Sequence, residues 1–166
     1  MTRLEGFPCV AASGGSVLIL GSMPSQRSLE AKQYYAHPRN AFWSIMGELF
    51  GAGSDKPYGE RLKILTANQI VLWDVLMSCQ RTGSLDALID DSSIAVNDFA
   101  GLFLNYSEIR NVFLNGRKAA ALFQRRVLPD LSQSDQLSCY TLPSTSPAYA
   151  AMPFDQKLEH WRAILK

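Results

Sequence analysis

The chain has 166 residues, 47% hydrophobic and 19% charged, the balance of one globular domain over residues 1–166 that buries roughly 70% of its unfolded surface. Sixteen Lys and Arg against fifteen Asp and Glu leave a net charge of +1, which excludes a bulk positive field as the means of holding a polyanion. Three cysteines without a CxxC spacing and only two histidines, His37 and His160, exclude a disulfide framework, a zinc or iron-sulfur site and a Ser-His-Asp triad. The cysteines are expected to be buried apolar residues, and any chemistry must use amides, hydroxyls and carboxylates. The opening MTRLEGFPCVAASGGS carries neither a membrane span nor a signal peptide's apolar centre, so the expected location is the cytoplasm, away from membranes.

In chain order, residues 17–20 form a short apolar run that leads into Gly21-Ser22-Met23-Pro24-Ser25. Residues 41–50 place Phe42, Ile45, Met46, Leu49 and Phe50 at i, i+3, i+4, i+7 and i+8, with Gly51 as a stop; this spacing predicts a helix with a core-facing stripe. A weaker helical pattern covers 58–67. The second apolar run, 70–76, contains Asp74 and precedes a polar stretch at 78–83, followed by weak helices at 85–89 and 98–105. The third run, 111–114, closes on Asn115-Gly116, and a helix is predicted over 118–128. The fourth, 137–142, leaves through Leu142-Pro143-Ser144-Thr145-Ser146-Pro147, and a last helix over 154–165 turns Phe154, Leu158, Trp161 and Leu165 inward and His160 to solvent.

Short apolar runs without alternation suit strands buried on both faces. Their alternation with helices predicts an α/β fold, a parallel sheet covered on both sides. In such sheets ligands collect at the carboxyl ends of the strands, and all four runs leave that edge through polar segments. Each segment alone is an ordinary turn sequence, whereas four on one edge predict a ligand cleft.

Through LILGSMPSQRSLEAKQYYAHPRNAFWSIMGELFG, LWDVLMSCQRTGSLDALI, VFLNGRKAAALF and LPSTSPAYA, the sequence resembles the hypoxanthine-DNA (deoxyinosine) glycosylases of the uracil-DNA glycosylase superfamily. The resemblance runs from about Ser16 to the end, and its ordered set of blocks is far more specific than the lone GSMPS. YAHPRNAFW is also similar to the mismatch-specific uracil and thymine glycosylases. The resemblance implies a three-layer α/β/α sandwich around a four-stranded parallel sheet, with no cofactor and no metal. It also implies a monofunctional glycosylase of base-excision repair. Its partner would be DNA containing a deaminated base, hypoxanthine first and uracil or xanthine as other candidates, and the chain is expected to act as a monomer.

Two positions depart from the wider superfamily. Met23 stands where an Asp or Asn usually handles the attacking water, and a thioether cannot do that work. Leu142 stands where the uracil enzymes often place a His. The hypoxanthine group shares both departures, and similarity to it makes Asn40 the expected catalytic residue, although Asn directly before a helix is also a strong N-cap. Tyr149 occupies a position where that group is expected to carry a small or amide residue.

The reaction requires the target nucleotide to be flipped out of the stack and the bond to break through an oxocarbenium-like state. The expected base-binding residues are Tyr35, a stacking aromatic, together with Gly21, Ser22, Met23, Asp74 and Asn115. An ionised Asp74 would accept from the N1–H of hypoxanthine and oppose the N1 lone pair of adenine; its alternative is an ion pair with Arg81 or a turn cap. Expected DNA contacts are Ser25, Ser144, Ser146, Arg39 and Tyr149, with Tyr149 or Met152 as the wedge. Arg81 and Arg117 are further candidates for phosphate. No lysine lies in the four motifs to form a Schiff base, Lys118 being nearest. Two other functions use the same cleft: a non-catalytic module that binds damaged DNA, and a hydrolase of free nucleosides or nucleotides.

Overall fold

The computed structural model describes residues 2–166. In chain order its main elements are β1 (Arg3–Glu5), β2 (Val17–Gly21), α1 (Gln26–Ala31), α2 (Phe42–Phe50), α3 (Tyr58–Ala67), β3 (Ile70–Asp74), β4 (Leu76–Gln80), β5 (Ala95–Val96), α4 (Phe99–Asn105), β6 (Asn111–Asn115), α5 (Arg117–Arg126), β7 (Ser138–Leu142) and α6 (Phe154–Trp161). Short 3-10 turns connect several of them.

Strands β3, β2, β6 and β7 pair in that order, every neighbour parallel. The strand pleat sorts their side chains between two cores. Leu18, Leu20, Val71, Val112 and Leu114 face α4 and α5, where Phe99, Phe103, Leu122 and Phe123 meet them. Ile19, Ile70, Leu72 and Phe113 face α2, α3 and α6, against Phe42, Ile45, Met46, Leu65 and Trp161. The result is the expected α/β/α sandwich, with helices covering both faces because both faces are apolar.

The structure departs from the sequence reading in five places. The run at 70–76 is two strands. After Asp74, the amides of Val75 and Leu76 donate to the carbonyls of Gly21 (2.8 Å) and Ser22 (3.1 Å), which bends the chain out of the parallel sheet. Leu76–Gln80 then joins β1 and β5 in a separate three-stranded sheet, antiparallel in both pairings. Strand β7 lies at the sheet edge with Ser138 to Thr141 exposed, so it is not a strand buried on both faces. Among the cysteines only Cys79 is buried; Cys9 is half-buried and Cys139 exposed. The expected helix at 85–89 is a 3-10 turn at Asp86–Leu88, while α1 had no periodicity by which to be found.

Register fixes the functional edge. Gly21 pairs with Asp74 and Asn115 with Leu142, so all four carboxyl termini end together. Trp161 braces this edge from behind. It is fully buried, meets Phe42 edge to face at 6.0 Å and donates from Nε1 to the Pro143 carbonyl at 2.9 Å. Trp161→Ala is expected to cost about 3–5 kcal/mol, read as a fall in the midpoint of denaturant unfolding.

Candidate active site

A cleft of about 330 Å³ opens at the carboxyl edge, within the ~300–1,000 Å³ of small-ligand sites. Its lining includes Gly21, Ser22, Met23, Ser25, Tyr35, Asn40, Asp74, Asn115, Ser144, Ser146 and Tyr149. Of the residues singled out in the sequence for base, catalytic and DNA contacts, Arg39 and Met152 lie outside it, in a neighbouring groove that Asn40, Ser146 and Tyr149 also line, and Arg81 and Arg117 are not among its lining residues.

At the floor lies Asp74, 3% exposed. Its backbone carbonyl accepts from Asn97 Nδ2 at 2.7 Å, but its side-chain Oδ2 is buried with no hydrogen-bond partner. Neither structural alternative holds for this side chain. None of the ion pairs among the described residues includes Arg81, whose guanidinium donates instead to the carbonyls of Gly83 and Pro24, both at 2.7 Å. Burial, and then the charge of Asp86, push the Asp74 carboxyl up to about 7. The expectation of a fully ionised Asp74 is therefore corrected, because a neutral acid forms a large share of the population at neutral pH.

Gly21 is required by this arrangement. A Cβ there would stand 2.5 Å from Asp74 Oδ1 and 2.9 Å from the Tyr35 hydroxyl, so the two polar groups converge over a position that only glycine leaves open.

Tyr35 is held in an unusual backbone conformation, φ 55°, which costs roughly 1–2 kcal/mol for a residue with a side chain. The surroundings enforce it. The preceding Tyr34 is buried, its amide donating to the Tyr58 hydroxyl at 2.9 Å, its hydroxyl to the Pro8 carbonyl at 2.9 Å, and its own carbonyl accepting from Trp43 Nε1 at 2.8 Å. The Tyr35 ring stacks on Phe42 at 4.1 Å, lies tilted against Tyr34 at 6.2 Å and lines the cleft.

Asn40 Oδ1 accepts from the Phe42 amide at 2.9 Å. The N-cap expected at Asn40 falls instead on Ala41, which makes no side-chain cap bond; Asn40, one residue earlier, holds the first helical amide through an Asx turn. The bond fixes the plane of the carboxamide, and no hydrogen bond to another described residue uses Nδ2. Ser22 donates to Asp86 Oδ1 at 2.7 Å. Ser25 caps α1 by accepting from the Ser28 amide at 3.1 Å.

Asn115 has a structural task. Its Oδ1 accepts from the Thr145 amide and its Nδ2 donates to Thr145 Oγ1, both at 3.0 Å, with a longer contact to the Tyr35 hydroxyl at 3.3 Å. One amide thereby ties β6, the loop after β7 and the Tyr35 loop together. Ser144 Oγ accepts from the Ser146 amide and Ser146 Oγ from the Ala148 amide, each at 3.1 Å. Accepting leaves each hydroxyl its own proton to donate. Tyr149 is 37% exposed at the rim, and its carbonyl accepts from the buried Lys157 Nζ at 2.7 Å.

The sequence reading missed Asp86 and Thr145. Asp86 lay inside a resembling block and just past the polar stretch at 78–83, the one available signal. Thr145 lay unremarked between two serines that were noticed.

An open parallel α/β sheet whose strand-end loops enclose a polar, partly apolar-walled cleft defines a ligand-binding protein of the doubly covered α/β type. The comparisons make this specific. The sequence pattern of the uracil DNA glycosylase superfamily matches residues 9–166, and the chain belongs to that superfamily. It is 39% identical over 141 residues to a hypoxanthine DNA glycosylase of Methanosarcina acetivorans, covering 80% of this chain and 88% of that one. It is 38% identical over 118 residues to a hypoxanthine DNA glycosylase of Methanosarcina barkeri, covering 70% and 73%. A solution NMR structure from M. acetivorans, provisionally described as a uracil DNA glycosylase, superposes with a TM-score of 0.78 at 33% identity over 99% of this chain and 100% of that one.

The buried carboxyl has a measurable consequence. The folded chain keeps the Asp74 proton up to about pH 7, whereas the unfolded chain loses it near the ordinary value of 3.8. Between these values the folded state binds more protons, so this group's contribution to stability falls as pH rises, by up to ~1.4 kcal/mol per unit. Asp74→Asn is expected to leave the melting temperature little changed at pH 4 and to raise it by several degrees at pH 8, read by calorimetry at both pH values.

Proposed function

We propose that the chain is a monofunctional DNA glycosylase of base-excision repair that hydrolyses the N-glycosidic bond of a deaminated base, hypoxanthine first, flipped out of DNA. The observation that carries this reading is the convergence of Asn40, Tyr35 and Asp74 in one cleft at the carboxyl edge, in a chain closely similar to two hypoxanthine DNA glycosylases.

The cleft's parts suit the steps in order. A flipped base stacks on Tyr35, an interaction worth ~1–3 kcal/mol. Asp74 accepts from the N1–H of hypoxanthine through an oxygen that carries no proton, and as a carboxylate it opposes the N1 lone pair of normal adenine. Ser144 and Ser146 donate their hydroxyl protons to phosphate. Arg39 meets the backbone from the neighbouring groove, and Tyr149 on the rim fills the vacated stack as a wedge.

Asn40 is the catalytic residue in this reading. With Oδ1 partly engaged by Phe42, Nδ2 is free to donate to a sugar or base oxygen, and the second lone pair of Oδ1 holds the water that attacks the anomeric carbon. An amide takes up no proton at neutral pH, so its work is positioning and electrostatic stabilisation. That suffices when the bond is largely broken before water arrives, as in an oxocarbenium-like path.

Substitutions separate the Asx turn from catalysis. Asn40→Asp and Asn40→Ser keep a side-chain oxygen for the turn, and Asn40→Ala removes it. A catalytic Asn40 means that the Ala variant folds, still binds lesion DNA and loses at least ~100-fold in single-turnover base release. Near-normal release by Asn40→Ala overturns the assignment. Oligonucleotides carrying one lesion each, with free deoxyinosine as a control, separate a DNA glycosylase from a nucleoside hydrolase and from a binding module that releases nothing.

A monofunctional enzyme forms no imine with the sugar. Lys118 is tied to Asp91 at 3.1 Å, Lys157 faces the neighbouring groove, and among the described residues no lysine lines the cleft. Borohydride is accordingly expected to trap no protein–DNA adduct at a lesion, as scored by a gel-shifted covalent band.

A further inference from the structure

The cleft holds a second carboxylate that the reading above leaves without a task. Asp86 lines it from the 3-10 turn after β4, facing the end of β2 through the 2.7 Å hydrogen bond from Ser22. The side chain is half-buried in the cleft wall, and neither of its oxygens is among the buried orphan atoms. Asp74 is its opposite in each respect: deeper, with no side-chain donor and one oxygen sealed and unpartnered.

The two carboxyls share a site, and among the described residues no cation forms an ion pair with either. Arg81 lies close enough to be felt by both, but its bonded N–H groups serve two backbone carbonyls. Lys118, the other cation felt by Asp86, is committed to Asp91. The remaining titratable groups facing Asp74 are the hydroxyls of Tyr34, Tyr35 and Tyr58; burial pushes all three up, so they stay neutral. Two like charges in one poorly hydrated site are not both ionised cheaply, and hydrogen bonding decides which group keeps the charge. Burial pushes the Asp86 carboxyl up as well, but the Ser22 hydroxyl, with Arg81 and Lys118, draws it back, and of the two carboxyls only Asp86 has that hydroxyl donor.

We propose that Asp86 is a positioning residue whose ionised carboxylate, fixed by Ser22, holds Asp74 in its protonated form, so that Asp74 donates a hydrogen bond to the exocyclic carbonyl oxygen of a deaminated base. Deamination always exchanges an amino group for a carbonyl oxygen, so a carboxylic O–H aimed at that substituent welcomes the lesion and opposes the amino group of the parent base. As the glycosidic bond breaks, negative charge gathers on the base, and the same donor stabilises it more in the transition state than in the ground state. The selectivity half of this inference rests on the glycosylase reading; the proton-holding half does not.

The experiment follows the Asp74 proton in two ways. In the free protein, the 13Cγ resonance of Asp74 is titrated in wild type, Asp86→Asn and Ser22→Ala. In single-turnover assays on hypoxanthine-containing duplex, the alkaline limb of the pH–rate profile is compared across the same variants. Asp86→Asn keeps an acceptor for Ser22 and removes the charge; it is expected to move both midpoints to lower pH by about one unit, roughly tenfold in rate on the limb. Ser22→Ala removes one of the groups that favour the charge on Asp86 and leaves Arg81 and Lys118, so it is expected to move them in the same direction by a smaller amount. The proposal is overturned by a wild-type Asp74 that titrates in the ordinary carboxylate range. It is equally overturned by an Asp86→Asn midpoint that stays in place, or by a Ser22→Ala shift as large as that of Asp86→Asn. If wild type releases no base from any lesion while the resonance still shifts in Asp86→Asn, the glycosylase reading fails and the coupling of the two carboxyls stands.

Discussion

A carboxyl group sealed beneath the functional edge, with no cation bonded to it, is the constraint around which the rest of this cleft is arranged. Asp74 sits there because the register of two parallel strands sets it opposite Gly21, and because the next two amides are spent on the carbonyls of Gly21 and Ser22. Those bonds pull β4 away from the parallel sheet and close the floor. The arrangement is expensive as an anion, and the pKa raised to about 7 states that expense chemically. A residue chosen for packing alone would have been apolar at this position. A polar group kept unpartnered on a floor of Ile, Leu and Val strands is what a site that must recognise a polar ligand looks like.

Rigidity is the second requirement, since a planar base has to meet several groups at once. It is supplied by few bonds placed at crossing points. Asn115 ties the loop after β7 to β6 and touches Tyr35, while Trp161 fixes the same loop through the Pro143 carbonyl. Tyr34, anchored at three polar atoms, forces its neighbour Tyr35 into the left-handed region. The strain is thus offset away from the cleft, in the apolar cluster on α2 and α3, and Tyr35 arrives with one ring face already packed on Phe42.

How far the sequence disclosed this depended on which physical signal each feature leaves. Strands β2, β3 and β6 and the helices over residues 42–50, 117–126 and 154–161 were legible because burial writes apolar runs and 3.6-residue periodicity directly into the chain, whereas β7 is exposed along most of its length and was placed without that signal. The convergence of the strand ends was legible too, as a consequence of parallel topology. What a strand does beyond its own residues was not. The break after Asp74 is invisible in an unbroken IVLWDVLM, because it arises from amides bonding to carbonyls fifty residues away. Asn40 was read both as a cap and as a site residue, and its oxygen holds the Phe42 amide from one residue before the cap position. Asp86 escaped notice because its significance is a relation, to Ser22 and to Asp74, that no local pattern records. The protonation of Asp74 escaped for the same reason: residue type fixes the ordinary pKa, and burial and neighbours move it.

The polar groups of the cleft also explain how a chain with Met23 and Leu142 at two critical places could still cleave a glycosidic bond. Met23 is 7% exposed and Leu142 6%, so both have been absorbed into the apolar walls. A strong base beside the anomeric carbon matters most when water must attack an intact bond. When departure of the base leads, the larger need is to stabilise charge on the base and to exclude bulk water, which apolar walls and a neutral acid supply together. A buried Asp74 costs the fold stability as an anion and costs little as an acid. The same low dielectric that makes its anion expensive strengthens the hydrogen bond its proton can make to a departing base. In the proposed reading the apolar Met23 and Leu142 and the buried Asp74 therefore work together, the walls excluding water while the acid assists the leaving group.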